Sequence, residues 1–368
     1  MADIMVDQRD AAHHGGGVTY PTNIAGLTSQ WMKKTLESAN PGLCIDTVTP
    51  GRIIWGTATK AFFTITYNQD GGPIQSANIC IKGAFCEKMR TYYDVSILYI
   101  TEAAFYRDIA PQLNIVLPRC WLAIEDRVEG IVILDDLGAT GVTFGQAFDT
   151  WTPDETKMIL TSLAQLHATT WGWKAGSLPW LTLGSGGQRT GLSAMIDGDR
   201  YATLTSRPQV LPFIPAALSE RNVIQAALAE LWRQDDVSPD LTVSHGDAHL
   251  GQTYIMPDGQ RGLLDWQSVA IMPWAKDVAY FLGGALAPSD RRACERDLLD
   301  YYRQELHAAG GPMIDGFDAW KEYRKQMLMG IVWPCVIEDM QPIAAIETMS
   351  ERYLTAMTDL DTLGAIRN

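Results

Sequence analysis

The stretch Leu241–Gln267, with the sequence LTVSHGDAHLGQTYIMPDGQRGLLDWQ, is the most informative part of this chain. A short β-type run leads into a His-Gly-Asp triplet that ends at Asp247, and an amide residue, Gln252, follows five positions later. A carboxylate and an amide at this spacing are typical of a loop that presents oxygen ligands and a base to one point. We therefore take this stretch as the candidate site and work outward from it.

A tight hairpin is predicted directly after this loop. Two short strands, Thr253–Met256 and Gly262–Leu264, flank a Pro-Asp-Gly-Gln turn at residues 257–260. A second acid, Asp265, stands at the end of the hairpin, 18 residues after Asp247. A hairpin brings its two ends together, so the pattern predicts that both carboxylates face one cleft.

Two carboxylates and an amide in this order suit phosphoryl transfer. That reaction needs a carboxylate to orient the attacking hydroxyl and to accept its proton, and hard oxygen ligands to hold Mg²⁺ against the phosphates. The pattern predicts Asp247 as the catalytic base and Asp265, with Gln252, as metal ligands. The same order of residues occurs in the catalytic segment of protein kinases.

Several motifs together resemble a known family. HGDAHLGQ followed by LLDWQ resembles the motifs of the aminoglycoside phosphotransferase and choline-kinase-like superfamily, which includes ecdysteroid-kinase-like relatives. The resemblance extends to the helical segments 163–168 (LAQLHA) and 273–282 (PWAKDVAYFL). It implies a bilobal, protein-kinase-like α+β fold, ATP and Mg²⁺ as cofactors, and a small hydroxyl-bearing molecule as substrate. It also implies that residues 171–235 contribute to acceptor recognition.

The distribution of strand and helix patterns predicts two lobes. Short runs rich in β-branched and aromatic residues dominate before Leu134, including 45–49, 52–55, 61–67 and 79–82, and helical patterns dominate after it. We expect an antiparallel β-sheet lobe over residues 1–134 that binds nucleotide, and a mainly helical catalytic and substrate-binding lobe over 135–368. The first 22 residues are expected to be loosely ordered.

The resemblance also assigns nucleotide-binding residues in the β-rich lobe. Lys82 ends a β run and Glu102 lies on the following predicted helix, so they correspond to the ion pair that positions the α- and β-phosphates. The alternative is a surface lysine on a strand and a solvated glutamate.

Further nucleotide contacts are expected at two other places. Thr57 and Thr59 lie in the segment 56–61, where backbone N–H groups and hydroxyls suit phosphate, although an ordinary hairpin turn explains this segment as well. The adenine is expected near the linker 134–137, which contains Asp136.

Gln252 departs from the superfamily, which usually has asparagine at this position. Glutamine offers the same carbonyl oxygen on a longer and more flexible side chain, whereas Mg²⁺ demands near-octahedral geometry. Three outcomes are open: direct metal binding with adjusted geometry, binding through water, or none. A pseudokinase-like nucleotide-binding or regulatory protein is therefore a rival hypothesis, and transfer of AMP to protein is another.

Bulk properties exclude some partners and favour a compartment. The formal net charge is −14, which repels nucleic acid and anionic lipid. The N-terminus lacks the basic and apolar segments of a signal peptide, and the six cysteines form no CxxC pair, so reduced thiols and a cytoplasmic location are expected.

Around the site, His245 and Asp277 are expected to support the loop rather than to take part in chemistry.

Overall fold

The computed structural model of the chain describes residues 12–15, 18–56, 58–87, 96–126, 128–184 and 186–367. It divides into two units: residues 1–111 with 118–141, and residues 112–117 with 142–368. The first unit extends a few residues beyond the boundary that the sequence predicts after Leu134.

An antiparallel sheet organises the first unit. Within the described residues it has five strands in the spatial order β3-β4-β5-β7-β6. A separate antiparallel pair, β1 and β2, precedes it, so the expectation of loose order over the whole N-terminal segment is wrong for these residues. The strands are β1 Ala12–Gly15, β2 Val18–Pro21, β3 Leu43–Ile54, β4 Thr59–Gln69, β5 Gln75–Gly83, β6 Cys120–Glu125 and β7 Gly130–Asp135.

Strand β3 joins two runs that the sequence predicts as separate strands. The register shifts between Ile45 and Thr47 and again between Pro50 and Ile53. Pro50 lacks a backbone N–H, and it is tolerated because β3 is an edge strand of the sheet. The two predicted strands are therefore a single strand with irregular pairing.

Within the described residues of the first unit, the α-helices are α1 Ser29–Ala39 and α2 Ser96–Asp108. The Thr28 hydroxyl caps α1 by accepting from the backbone N–H of Trp31 at 3.1 Å. The apolar face of α1 joins the sheet in one core that includes Met32, Leu36, Ile65, Ile79 and Ile133.

Helices dominate the second unit. Their bounds are α3 Pro153–Thr169, α4 Gly186–Ile196, α5 Arg200–Thr205, α6 Arg221–Asp235, α7 Ala275–Ala285, α8 Pro288–Ala308, α9 Gly316–Gln326, α10 Ile343–Asp359 and α11 Thr362–Arg367. The sequence TPDE at residues 152–155 predicts a capping box at the start of α3. This is confirmed, because the Thr152 and Glu155 side chains each accept from the other's backbone N–H. The helical pattern over residues 317–330 predicts one helix. In the structure the α-helix ends at Gln326 and a 3₁₀ segment continues to Cys335.

Short strands frame the candidate site in this unit. Strand β9 Leu241–Ser244 pairs with β12 Ala270–Pro273, and a second small sheet has the order β11-β10-β8. Its strands are β8 Thr143–Phe144, β10 Thr253–Ile255 and β11 Arg261–Leu263, so the predicted hairpin is confirmed. The α+β class, with an antiparallel sheet in one unit and mainly helices in the other, is likewise confirmed. Among the described helices, none combines the length and apolar character needed to cross a membrane.

Candidate active site

The loop from His245 to Gln252 connects β9 to β10. Gly246 has a φ of +87°, and a Cβ added to it would lie 2.2 Å from the carbonyl oxygen of Ser268. The loop therefore packs directly against the backbone that follows Asp265. Only glycine provides both the left-handed conformation and this close approach.

A buried carboxylate stabilises the loop by accepting hydrogen bonds from its backbone. Asp277, in the first turn of α7, accepts from the backbone N–H of His245 at 2.6 Å and of Gly246 at 2.9 Å. Burial raises its pKa, but the hydrogen bond from His167 and the charges of His167 and Lys276 outweigh burial and hold it at about 2. The expected supporting role of Asp277 is confirmed, since an ionised acceptor pins two consecutive amides.

His245 links the two ends of the candidate site. Its Nδ1 accepts from the backbone N–H of Asp247 at 3.2 Å, and its Nε2 donates to the carbonyl oxygen of Leu264 at 2.9 Å. Burial lowers the pKa of this imidazole, in keeping with a neutral ring that donates at one nitrogen and accepts at the other. The backbone N–H of Leu264 also donates to the carbonyl of Gln252 at 2.7 Å.

The hydrogen bonds between His245 and Asp247, His245 and Leu264, and Leu264 and Gln252 form a frame that connects the two aspartates. Leu264, directly before Asp265, is bonded on one side to the loop through His245 and on the other to Gln252. The charges of Asp247 and Asp265 both act to raise the pKa of His245 and of His249, against the larger lowering effect of burial. Both carboxylates therefore lie within electrostatic range of the same two imidazoles.

Asp265 adopts an unusual backbone conformation. Its φ and ψ are both 63°, in the left-handed region, and its side chain does not cap the 3₁₀ turn Trp266–Ser268 that follows. Aspartate tolerates this region better than most residues, yet it still costs about 1 kcal/mol or more. Backbone strain of this kind is common at functional sites, and the assignment of Asp265 as a metal ligand stays a prediction.

The amide group of Gln252 is directed toward the predicted base. Its Nε2 donates to Oδ2 of Asp247 at 3.3 Å, and the His249 Nε2 lies 3.8 Å from the same oxygen. Across the described part of the chain, no group of three or more His, Cys, Asp or Glu side chains is arranged to hold a metal. A carboxylate with an amide oxygen nevertheless fits Mg²⁺ that is shared with phosphates, because that ion takes only one or two protein carboxylates and completes its shell with phosphate and water.

In the first unit, the predicted ion pair is present. The Lys82 Nζ on β5 lies 2.7 Å from Oε1 of Glu102 on α2, and the two residues are 6% and 1% exposed. Such burial excludes the alternative of a surface lysine and a solvated glutamate. A contact of Lys82 with nucleotide phosphates stays a prediction.

Of the other nucleotide contacts predicted in this unit, one lies outside the described residues and two are buried. Thr57 falls outside them, and Thr59 is fully buried at the start of β4. The Asp136 carboxylate accepts from the backbone N–H of Gly138 at 3.0 Å and from Arg52 at 3.5 Å. These contacts order the residues after β7, and a role of Asp136 toward nucleotide is again a prediction.

Two polar contacts at the loop were missed by the sequence reasoning. The carbonyl oxygen of Gly246 accepts from Nε2 of Gln188 at 2.8 Å and also from Nζ of Lys276. Lys276 and the neighbouring Asp277 are charged in an otherwise apolar stretch, which signals buried and therefore partnered side chains. No sequence signal distinguishes Gln188 from a solvated glutamine on a helix.

Two family models match the chain. The ecdysteroid kinase-like family matches residues 60–178, and the phosphotransferase enzyme family matches residues 142–323. A search of curated proteins finds no match.

Several solved structures are similar at low identity. A choline kinase from Streptococcus pneumoniae is 13% identical, with 90% of this chain and 98% of that one covered and a TM-score of 0.44. A macrolide 2′-phosphotransferase from Brachybacterium faecium is 16% identical, with 83% and 91% covered and a TM-score of 0.41. A spectinomycin phosphotransferase in complex with ADP and spectinomycin is 15% identical, with 93% and 99% covered and a TM-score of 0.41. At these values, none of the three identifies a substrate for this chain.

The family-model matches span the segments that carry the motifs. The ecdysteroid kinase-like match includes Lys82 and Glu102, and the phosphotransferase match includes the loop, the hairpin and α7. By these matches, the chain is a member of the aminoglycoside phosphotransferase and choline-kinase-like superfamily.

Proposed function

We propose that this protein transfers the γ-phosphoryl group of ATP to a hydroxyl group of a small organic molecule. The observation that supports this best is the hydrogen-bonded frame in which His245 ties the backbone of Asp247 to the residue before Asp265. The whole frame lies within the segment that matches the phosphotransferase enzyme family. Phosphoryl transfer is catalysed mainly by positioning and electrostatic stabilisation, and this frame fixes the backbone on which the proposed base and metal ligand stand.

Asp247 is the proposed catalytic base. Its carboxylate is 35% exposed, so an acceptor hydroxyl can reach it, while Gln252 and His249 flank its Oδ2. The acceptor oxygen forms a bond to the γ-phosphorus as the bond from that phosphorus to the β,γ-bridging oxygen breaks. Asp247 takes the hydroxyl proton, and ADP leaves with the bridging oxygen.

Asp265, helped by the side-chain oxygen of Gln252, is the proposed ligand of the nucleotide-bound Mg²⁺. The bound ion would neutralise charge on the transferring phosphates. In the first unit, Lys82 is proposed to contact the α- and β-phosphates, with Glu102 holding its ammonium group in place. Thr57, Thr59 and Asp136 are proposed as further nucleotide contacts.

The test measures Mg²⁺-dependent ADP release from ATP across a panel of amines, sugars, macrolides and lipophilic alcohols. Asp247→Ala is expected to lower turnover by about 10²–10⁴-fold, the range of general-base catalysis, with ATP binding by calorimetry retained. Asp265→Ala is expected to weaken binding of Mg·ATP as well. Asp258→Asn, on the exposed hairpin turn, is the matched control and should behave as wild type. Normal turnover of Asp247→Asn contradicts the proposal.

A nucleotide-binding protein without turnover is the second candidate, and Gln252 is the observation that favours it. The amide nitrogen of Gln252 is engaged by Asp247, and its longer side chain replaces the asparagine usual in the superfamily. ATP binding with no ADP release above the Asp247→Ala background for any acceptor would support this candidate. Gln252→Asn should then restore turnover, and intact-mass measurement after incubation with ATP detects any transfer of AMP to the protein itself.

A further inference from the structure

The peptide bond between Gly246 and Asp247 is held at both ends. Its carbonyl oxygen accepts from Gln188 at 2.8 Å and from Lys276, and its N–H donates to Nδ1 of His245 at 3.2 Å. Because this peptide plane carries the backbone of Asp247, its orientation sets the direction in which the Asp247 side chain leaves the loop. Few rotations remain open to a peptide fixed by three hydrogen bonds.

The two donors come from different helices. Gln188 is near the start of α4, whose next residue, Arg189, pairs with Asp236 after α6 at 2.8 Å. Lys276 is in the first turn of α7 and is only 4% exposed. The loop is thus clamped between a helix of the 171–235 region and the helix that also supplies Asp277.

Lys276 is buried, so bulk water cannot take the place of its protein partners. Burial lowers its pKa, while the charges of Asp277, Asp247 and Asp235 act in the opposite direction. A buried ammonium group requires hydrogen bonds and opposite charges to offset its lost hydration. The Gly246 carbonyl provides the hydrogen bond, so the need of Lys276 for a partner stabilises this one orientation of the peptide.

We propose that Gln188 and Lys276 are positioning residues that hold Asp247 in its reactive direction by donating together to the carbonyl oxygen of Gly246. This inference rests on the proposed function for its kinetic consequence, since Asp247 is the proposed base. Neither side chain needs to touch the substrate. They affect turnover by fixing the backbone of the loop that carries Asp247.

The first test is kinetic. Gln188→Glu keeps the size of the side chain but replaces its donor with a carboxylate, which repels the Gly246 oxygen. With Mg·ATP and the most active acceptor of the panel, kcat should fall about tenfold, the scale of one lost hydrogen bond, and KM for ATP should change less than about twofold. Lys276→Met should lower kcat at least as much, and Lys276→Arg should recover part of it. Gln304→Glu, at an exposed position on α8, makes the same chemical change away from the loop and is the matched control.

The second test needs no turnover. Amide hydrogen exchange of peptides covering residues 244–252 should be faster in Gln188→Glu and Lys276→Met than in wild type and in Gln304→Glu, with exchange in α3 unchanged. Wild-type exchange in this loop together with wild-type kcat in Gln188→Glu overturns the inference. If wild type itself shows no turnover with any acceptor, the proposed function fails, and the exchange measurement alone then decides whether the two residues position the loop.

Discussion

His245 donates from Nε2 to the carbonyl oxygen of Leu264 at 2.9 Å, and this one bond joins the loop that carries Asp247 to the residue that precedes Asp265. The two residues stand 19 positions apart in the chain. The imidazole therefore sets the spacing between the proposed base and the proposed metal ligand.

His245→Ala is expected to disturb both functions at once. Loss of the ring leaves the Asp247 N–H and the Leu264 carbonyl without this partner, so kcat should fall about tenfold or more and the Mg²⁺ concentration for half-maximal rate should rise. Steady-state kinetics over a Mg²⁺ series measures both. His307→Ala, at an exposed position on α8, is the control. A fall in kcat without any change in Mg²⁺ dependence would separate the two roles and contradict this account.

Gly246→Ala tests the close approach of the loop to Ser268. Gly246 and Gly259 have nearly the same φ, +87° and +88°, but a Cβ at Gly259 meets nothing within 4 Å. Gly259→Ala should cost only the strain of a left-handed alanine, about 1 kcal/mol. Gly246→Ala should lower the free energy of unfolding by about 2 kcal/mol more, the scale of overpacking that forces a backbone shift, and should abolish turnover. Equal effects of the two variants in urea unfolding would show that the contact with Ser268 is unimportant.

Asp277→Asn should destabilise the protein in a pH-dependent way. The native pKa of about 2 lies below the ordinary value of 3.8, so the ionised carboxylate stabilises the fold fully above pH 4, and this contribution is lost as the pH falls toward 2. The variant should therefore lose about 3 kcal/mol at pH 7, the scale of a broken buried charge network, and lose less than wild type on acidification. Asp290→Asn, exposed on α8, provides the comparison.

The buried pair of Lys82 and Glu102 should show strong coupling. Lys82→Met removes the ammonium partner of the buried Glu102 carboxylate, and breaking a buried ion pair from one side typically costs about 3–5 kcal/mol. The double variant Lys82→Met/Glu102→Leu removes both charges and should be more stable than the single variant. Thermal unfolding of the four members of this double-mutant cycle measures the coupling. Additive effects would mean that the two charges do not depend on each other.

Asp235 should make the protein less stable as the pH rises. Burial raises its pKa from 3.8 to about 7, and the hydrogen bond from Gln326 at 2.6 Å opposes this only in part. The neutral acid is favoured in the folded state, so its stabilising contribution is complete below pH 4 and is lost as the pH rises through 7.

Asp235→Asn should accordingly raise the free energy of unfolding at pH 8 by roughly 1–3 kcal/mol and have little effect at pH 4. Urea unfolding at the two pH values measures the difference. Asp236→Asn, at the half-exposed neighbouring position, should change stability by less than about 1 kcal/mol at either pH. A wild-type stability that is flat between pH 5 and 8 would contradict the prediction.

Much of the site was predictable because its signals are local. The spacing of Asp247 and Gln252, the turn between β10 and β11, and the capping box at the start of α3 each depend on residues a few positions apart. The predicted hairpin then accounts for the 18 residues that separate Asp247 from Asp265. The Lys82–Glu102 pair was predicted from the resemblance, and the structure contains it. Errors arose where local pattern competes with packing, as in the 3₁₀ segment after Gln326 and the irregular edge strand β3.

The amino-acid sequence by itself determined the hairpin, the order of the two aspartates and the family. Only the tertiary structure revealed that Gln188 and Lys276 converge on the Gly246 carbonyl, from 58 and 30 positions away in the chain. Periodicity and turn chemistry report contacts within a few residues, which the backbone geometry dictates. Side chains from distant helices meet one carbonyl oxygen only through the packing of the whole unit, and no short stretch of sequence encodes that meeting.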